Sequence, residues 1–203
     1  MPNLTDKQLK QVRQLYQEGL SVRELSEKFA CSLDAMFYVF RKYKIPRRKA
    51  SERNEVLFGR KESSFKIKEK LSEDEKNLKI AGIMLYWGEG SQWQGEKIVD
   101  FANSKPEMVK VFLAFLRRVC GIDEKKLRVY LYAYSDQDIK KITNFWSKLT
   151  NIPLNQFSKP YIREDYRLEK SGKMPYGLIH VRYYDKKLLL LILDWIKQYQ
   201  EQY

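Results

Sequence analysis

Apolar positions recur along this chain with two periods. From residue 5 to residue 43 the spacing is helical. Thr5 with Gln8 forms a capping box before a helix that turns Leu9, Val12 and Leu15 inward, and Gly19 ends it. Ser21 with Glu24 forms a second box ahead of Val22, Leu25 and Phe29. Ser32 caps a third helix with Met36, Val39, Phe40 and Tyr43 on its apolar face. Residues 51–74 mix both charge signs without a sustained period and read as a linker with some helix. From Leu78 to Ile196 apolar density is high. Ile80–Trp87 is a strongly apolar helix ended by Gly88–Glu89–Gly90. Ser91–Trp93 and Lys97–Asn103 suggest a hairpin across Gln94–Gly95–Glu96. Pro106 opens a helix through Val119, with Val109, Phe112, Leu113 and Leu116 inward.

Residues 127–134 then change to period two. Val129, Leu131 and Ala133 fall on one face, Arg128, Tyr130, Tyr132 and Tyr134 on the other. A helix near 137–149, strand-like segments near 160–168 and 177–184, and a final helix from 185 to about 199 complete the pattern. In the 177–184 segment Ile179, Val181 and Tyr183 oppose His180, Arg182 and Tyr184. The segments Lys97–Leu116 and Leu178–Ile196 share a faint strand-turn-helix form. The expected organisation is α+β: a three-helix domain at 1–50, a charged linker at 51–75, and a domain at 76–203 with an antiparallel sheet covered by helices on one face.

Charge narrows the partner. Against 26 acids stand 39 Lys and Arg, a net charge of +13. A folded chain this basic most often meets nucleic acid, with an anionic membrane surface the lesser alternative. No apolar run approaches the roughly 20 residues of a membrane span, and the start MPNLTDKQLK shows no apolar signal region. These features lead to the expectation of a soluble cytoplasmic protein, nucleoid-associated if prokaryotic. Cys31 and Cys120 make neither a disulfide framework nor a zinc site. His180 is the single histidine, which excludes two-His metal sites and most His-based triads within one chain. No GxxxxGK loop suggests a nucleotide, and no small-molecule cofactor is expected.

The stretch SVRELSEKFACSLDAMFYVFRKY resembles the helix-turn-helix of the resolvase and homeodomain-like families. That resemblance makes residues 22–29 a positioning helix and 33–43 a recognition helix, with Ala30 where these families place a turn glycine. It implies DNA contacts from Ser32, Asp34, Phe37, Tyr38, Arg41 and Lys42. The alternative is a small helical bundle that binds protein. After Pro46 the run RKYKIPRRKASER reads as an extended basic arm, adding Arg47, Arg48 and Lys49 as phosphate contacts; a solvated basic linker is the alternative.

The segment KIAGIMLYWGEGS resembles the LAGLIDADG motif of homing endonucleases, inteins and certain sporulation regulators. Glu89 takes the family's metal-ligand position, with Gly88 beside it. Met84 stands at the close-packing glycine and Trp87 at the first acid. A buried helix with a C-cap glycine is the plain alternative. An acid at a helix C-terminus is disfavoured by the macrodipole, which singles out Glu89 on physical grounds as well.

The resemblance implies a saddle-shaped domain. With one motif per chain, it implies a homodimer through Ala81, Gly82, Leu85 and Gly88 that brings two Glu89 carboxylates around divalent metal, Mg²⁺, at Glu89 and Gly88, for double-strand cleavage. Gln92, Gln94, Lys97, Arg128, Tyr130, Tyr132, His180, Arg182 and Tyr184 are the candidate double-stranded DNA contacts of this domain. Lys97, Arg128 and Arg182 are candidates to assist catalysis. Three functions follow: a metal-dependent DNA endonuclease, a non-cleaving transcriptional regulator on the same folds, and a recombinase accessory.

Overall fold

Side-chain caps decide where the first helices begin. Thr5 and Ser21 each accept a hydrogen bond from the backbone N–H three residues on, and Gln8 and Glu24 reach back to the cap. The computed structural model describes residues 4–93, 95–164 and 174–202. Its first helices are α1 (Asp6–Gln17), α2 (Val22–Lys28) and α3 (Leu33–Lys42), the last capped by the Ser32 hydroxyl. Val12, Tyr16, Leu25, Met36, Val39, Phe40 and Ile45 form their common core. Ala30, between α2 and α3, has φ 48°, the left-handed conformation that a turn glycine adopts without strain.

The stretch 51–75, expected as a linker with some helix, does hold a helix but is shared between two units. The chain divides into Met1–Glu62 and Ser63–Tyr203. Residues 50–60 form α4 (Ala50–Arg60), which buries no side chain and so gave no apolar period to read. It is fastened to the first unit by Arg60, which pairs with Glu24 at 2.7 Å, and by Val56, which lies against Gly19. Residues 63–72 belong to the second unit. Ser64 donates to the Asp185 carboxylate from its N–H (2.9 Å) and hydroxyl (2.7 Å), and Lys66 and Lys68 N–H groups donate to the Gly121 and Val119 carbonyls. Burial pushes the Asp185 carboxyl up, but the hydrogen bonds from Ser64, Lys187 and Leu188 outweigh it and hold the group below its ordinary pKa.

In the second unit, α5 spans Glu73–Glu89, starting seven residues before the apolar run because Ser72 and Glu75 close another capping box. There follow β1 (Val99–Asn103), α6 (Pro106–Arg118), β2 (Leu127–Tyr134), α7 (Ile139–Thr150), β3 (Tyr161–Arg163), β4 (Leu178–Tyr183) and α8 (Lys186–Gln202). The sheet order is β1-β4-β2-β3. Both pairings of β4 are antiparallel, while β3 runs parallel to β2, so the sheet is mixed and not antiparallel throughout. Of the expected hairpin only β1 is a strand; its other arm is reduced to a Gly90–Phe101 bridge and the Ser91 N–H bonded to the Asp100 carbonyl. Residues 165–168 of the segment expected near 160–168 lie outside the described residues.

Alternation fixes which way each strand faces. β2 and β4 bury every second residue, so Leu127, Val129, Leu131, Ala133, Ile179, Val181 and Tyr183 join the core with Phe112, Phe115 and Trp146 of the helices. The α+β class therefore holds, with eight helices and four strands among the described residues. No helix among them is long and apolar enough to cross a membrane.

Candidate nucleic-acid interface and metal position

The face of the sheet opposite the core carries a connected polar network. The β1–β4 register sets Asp100 opposite Arg182, and the β2–β4 register sets Arg128 opposite Arg182 and Tyr130 opposite His180. Asp100 accepts from Arg182 Nε at 2.7 Å through one oxygen and pairs with His180 Nδ1 at 2.9 Å through the other. A carboxylate only accepts, so Nδ1 carries the imidazole proton and Nε2 remains as the ring's other hydrogen-bonding atom. The Arg182 guanidinium lies 4.1 Å from the centre of the Tyr130 ring. Burial works against its charge, and Asp100 overcomes that, so its pKa is raised.

Tyrosines extend the network. The Tyr130 and Tyr184 hydroxyls are 3.1 Å apart, and hydrogen bonding with Tyr184, then with Ser158, holds the Tyr130 phenol below its ordinary pKa. Tyr132 lies between His180 (4.8 Å between ring centres) and Tyr161 (5.3 Å). The face thus presents a pinned guanidinium, an oriented imidazole and several aromatic rings. Such groups hydrogen-bond base edges, stack and meet phosphates.

Other expected contacts have structural duties. Arg128 Nη1 donates to the Lys125 and Leu127 carbonyls at 2.7 and 2.6 Å, which holds its side chain at the entrance of β2. Gln92 donates to the Trp87 carbonyl at 2.7 Å and so caps α5. Lys97 is exposed. Gln94 lies outside the described residues. In the first unit the Ser32 hydroxyl is committed to the α3 cap, whereas Asp34, Arg41 and Lys42 are exposed, with Phe37 and Tyr38 half-buried beside them.

The segment after α3 is not a free arm. Arg48 turns inward: its Nη1 donates to the Gly19 and Leu20 carbonyls, its guanidinium sits 4.1 Å from the Tyr16 ring centre, and its N–H donates to the Tyr16 hydroxyl. Tyr16, a core residue of α1, is the physical reason, because it offers both a ring face and a hydroxyl. Arg47 lies over Phe37 at 4.9 Å. Lys49 is exposed at the start of α4.

Glu89 is the last residue of α5 and is exposed, with no basic residue in that last turn. Among the described residues no three His, Cys, Asp or Glu side chains gather as a metal cage. Mg²⁺ is habitually held by one or two carboxylates completed by phosphate oxygens and water. One exposed carboxylate per chain fits that pattern as a single ligand. A Gly88 side chain is lacking by nature, and that residue is exposed beside Glu89.

The expected dimer face needs correction at Gly82. It points into its own unit, where a Cβ would lie 2.1 Å from the Phe115 ring, so this glycine admits α6 rather than a second copy. Ala81 and Leu85 are half-buried. The outward stripe of α5 is Ile80 (45% exposed), Ala81, Met84 (37% exposed) and Gly88, a helical spacing of apolar and small residues open to solvent.

Sequence reasoning missed Asp100. The signal was present, since Asp100 alternates with Val99 and Phe101 and therefore belongs to the polar face. Its partners lie 80 and 82 residues away, beyond any local pattern. Compared with family models, curated proteins and solved structures, the chain matches none.

Proposed function

We propose that this chain binds double-stranded DNA as a homodimer and cleaves it with a divalent metal held by Glu89. One observation carries the DNA reading: a partly exposed sheet face on which Arg182, His180, Tyr130 and Tyr132 are held in fixed positions above an apolar core. The net charge of +13 supplies the long-range attraction. The helix-turn-helix reading of α2–α3 adds a second contact, through the exposed Asp34, Arg41 and Lys42. The solvent-facing Ile80–Ala81–Met84–Gly88 stripe supports the dimer, because a second copy covers it with an identical stripe.

Glu89 is the residue that holds the metal in this reading, and its counterpart in the second copy completes the pair. A bound Mg²⁺ supplies Lewis-acid activation of water and stabilisation of the leaving oxygen. The protein's own residues contribute position: the sheet face orients the duplex, and the end of α5 brings the carboxylate to a phosphate.

The test is incubation of the protein with Mg²⁺ and DNA from the gene's own neighbourhood. A discrete double-strand cut is expected from the wild type and none from Glu89→Gln, which keeps size and hydrogen bonding but not charge. Duplex binding by the variant should hold or tighten, because two clustered negative charges are gone. Met84→Glu should yield a monomer by sedimentation. Cutting by the variant at the wild-type rate refutes the role of Glu89.

A non-cleaving transcriptional regulator is the second reading. It is favoured by Trp87, which stands where the LAGLIDADG resemblance expects an acid, and by the structural duties of Arg128. Specific binding without cleavage in Mg²⁺ or Mn²⁺ selects it.

A further inference from the structure

The basic residues after α3, together with α2 and α4, enclose a cleft of about 360 Å³. Arg23, Arg47, Arg48 and Arg53 line it along with Ser21 and Phe37, and no carboxylate does. Among the described residues none of the four arginines has an acidic partner. Arg60, two turns further along α4, shows the contrast by pairing with Glu24. Arg48 stands apart from the other three, because its side chain is committed to holding the fold. Its Nη1 is satisfied by two carbonyls, but its Nη2 is buried without a hydrogen-bond partner.

Like charges gathered without a counter-charge repel. The missing complement is an anion with several acceptor oxygens. Phosphate meets that need, because guanidinium forks pair with its oxygens two at a time. The cleft also abuts the start of α4, whose first turn places positive helix-dipole charge there.

We propose that this cleft is a phosphate-binding site, and that its ligand is a phosphodiester of the nucleic-acid backbone that runs past α3. Phe37 of α3 and Arg47 line the same cleft, so a phosphate seated there lies next to the exposed face of that helix. The consequence is that α4, which lies outside the three-helix unit, joins the DNA-contacting surface through Arg53. The source of the phosphate rests on the DNA reading above; the site itself does not.

Arg23 and Arg53 are the residues to change, since both are exposed and their side chains make no contact that the fold needs. The full chain carrying Arg23→Gln and Arg53→Gln is compared with a control carrying Lys7→Gln and Lys10→Gln, which removes the same charge from the exposed part of α1. Binding to a 20-base-pair duplex is measured by anisotropy across salt concentrations. The slope of log K against log salt should fall in magnitude by about 0.9 more in the cleft variant than in the control, one phosphate contact's worth. Sodium phosphate, compared with sodium chloride at equal ionic strength, should raise the melting temperature of wild type and control but not of the cleft variant.

Equal slopes in the two variants together with no phosphate-specific stabilisation overturn the site, while duplex binding by all three proteins leaves the DNA reading standing. If no protein binds duplex but phosphate stabilises through Arg23 and Arg53, the site stands as one for free phosphate and the nucleic-acid source falls.

Discussion

Arg182 on the sheet and the arginines of the cleft in the first unit are arranged on opposite plans. On the sheet, Arg182 is tied to Asp100 and stacked on Tyr130, so its charge is partly neutralised and its position is fixed. In the first unit, Arg23, Arg47 and Arg53 have no acid paired with them among the described residues. An untethered cation attracts any phosphate and reports its contact as salt dependence. A tethered one loses attraction but keeps a defined geometry, which is what discrimination between base pairs needs. Under the proposed DNA reading, the two surfaces divide affinity from selectivity. Arg48 belongs to neither plan. It is a cation used to hold a backbone, and its neighbour Arg47 in the sequence is not.

Arg48→Ala is expected to have the largest effect. It removes the donors to the Gly19 and Leu20 carbonyls and the contact with Tyr16. Lost hydrogen bonds of this kind and a partly desolvated cation–π contact together suggest about 3 kcal/mol of lost stability in the first unit. Arg47→Ala, one residue away, should leave stability within about 0.5 kcal/mol, as surface changes usually do. Urea denaturation of the two variants measures the difference directly. Equal losses would mean that the inward turn of Arg48 is not what pins the segment after α3.

Asp100→Asn addresses the other surface and should act on selectivity. The amide still occupies the site but no longer holds a guanidinium and an imidazole by charge. Specific over non-specific binding should drop by about tenfold, within the 1–3 kcal/mol that a well-placed base contact is worth. The salt slope should stay or steepen, because a negative charge is gone. That outcome is opposite to the one expected from the cleft arginines, so the two variants measured side by side sharpen or break the division of labour. A flatter slope from Asp100→Asn would show that the sheet face works as a plain electrostatic surface.

How far this was legible in the sequence depends on the range of the interaction. Caps and alternation are local, and the helix starts at Thr5, Ser21 and Ser32, the Pro106 start and the two faces of β2 and β4 could all be read. The Ser72–Glu75 box was equally local, yet the charged turn that follows it, Glu73 and Asp74, hid the true start of α5 behind the apolar run. The candidate site was harder. Arg182, His180 and the tyrosines fell on the right face by parity alone. The inward turn of Arg48 needs Tyr16, 32 residues earlier, and the inward turn of Gly82 needs Phe115 of α6. Neither leaves a trace in the spacing of nearby residues.

Ala30→Gly is the smallest effect and isolates one such local feature. The residue is exposed, and its φ of 48° lies in the region that penalises a Cβ. For an L-residue that penalty is about 1–2 kcal/mol, and a glycine returns part of the gain through the extra freedom of its unfolded chain, about 0.4–1 kcal/mol. The net expectation is a first unit more stable by about 0.5 kcal/mol, the difference of those two terms, read as a rise in the urea midpoint at constant slope. Duplex binding and its salt dependence should not move, because the substitution relieves strain in the turn without altering where α3 or the four arginines stand. A loss of stability would mean that the Ala30 methyl packs usefully in that turn. A changed salt slope would mean that the strained turn sets the placement of α3 against the phosphate cleft, and the first unit's cations would then be positioned rather than merely gathered.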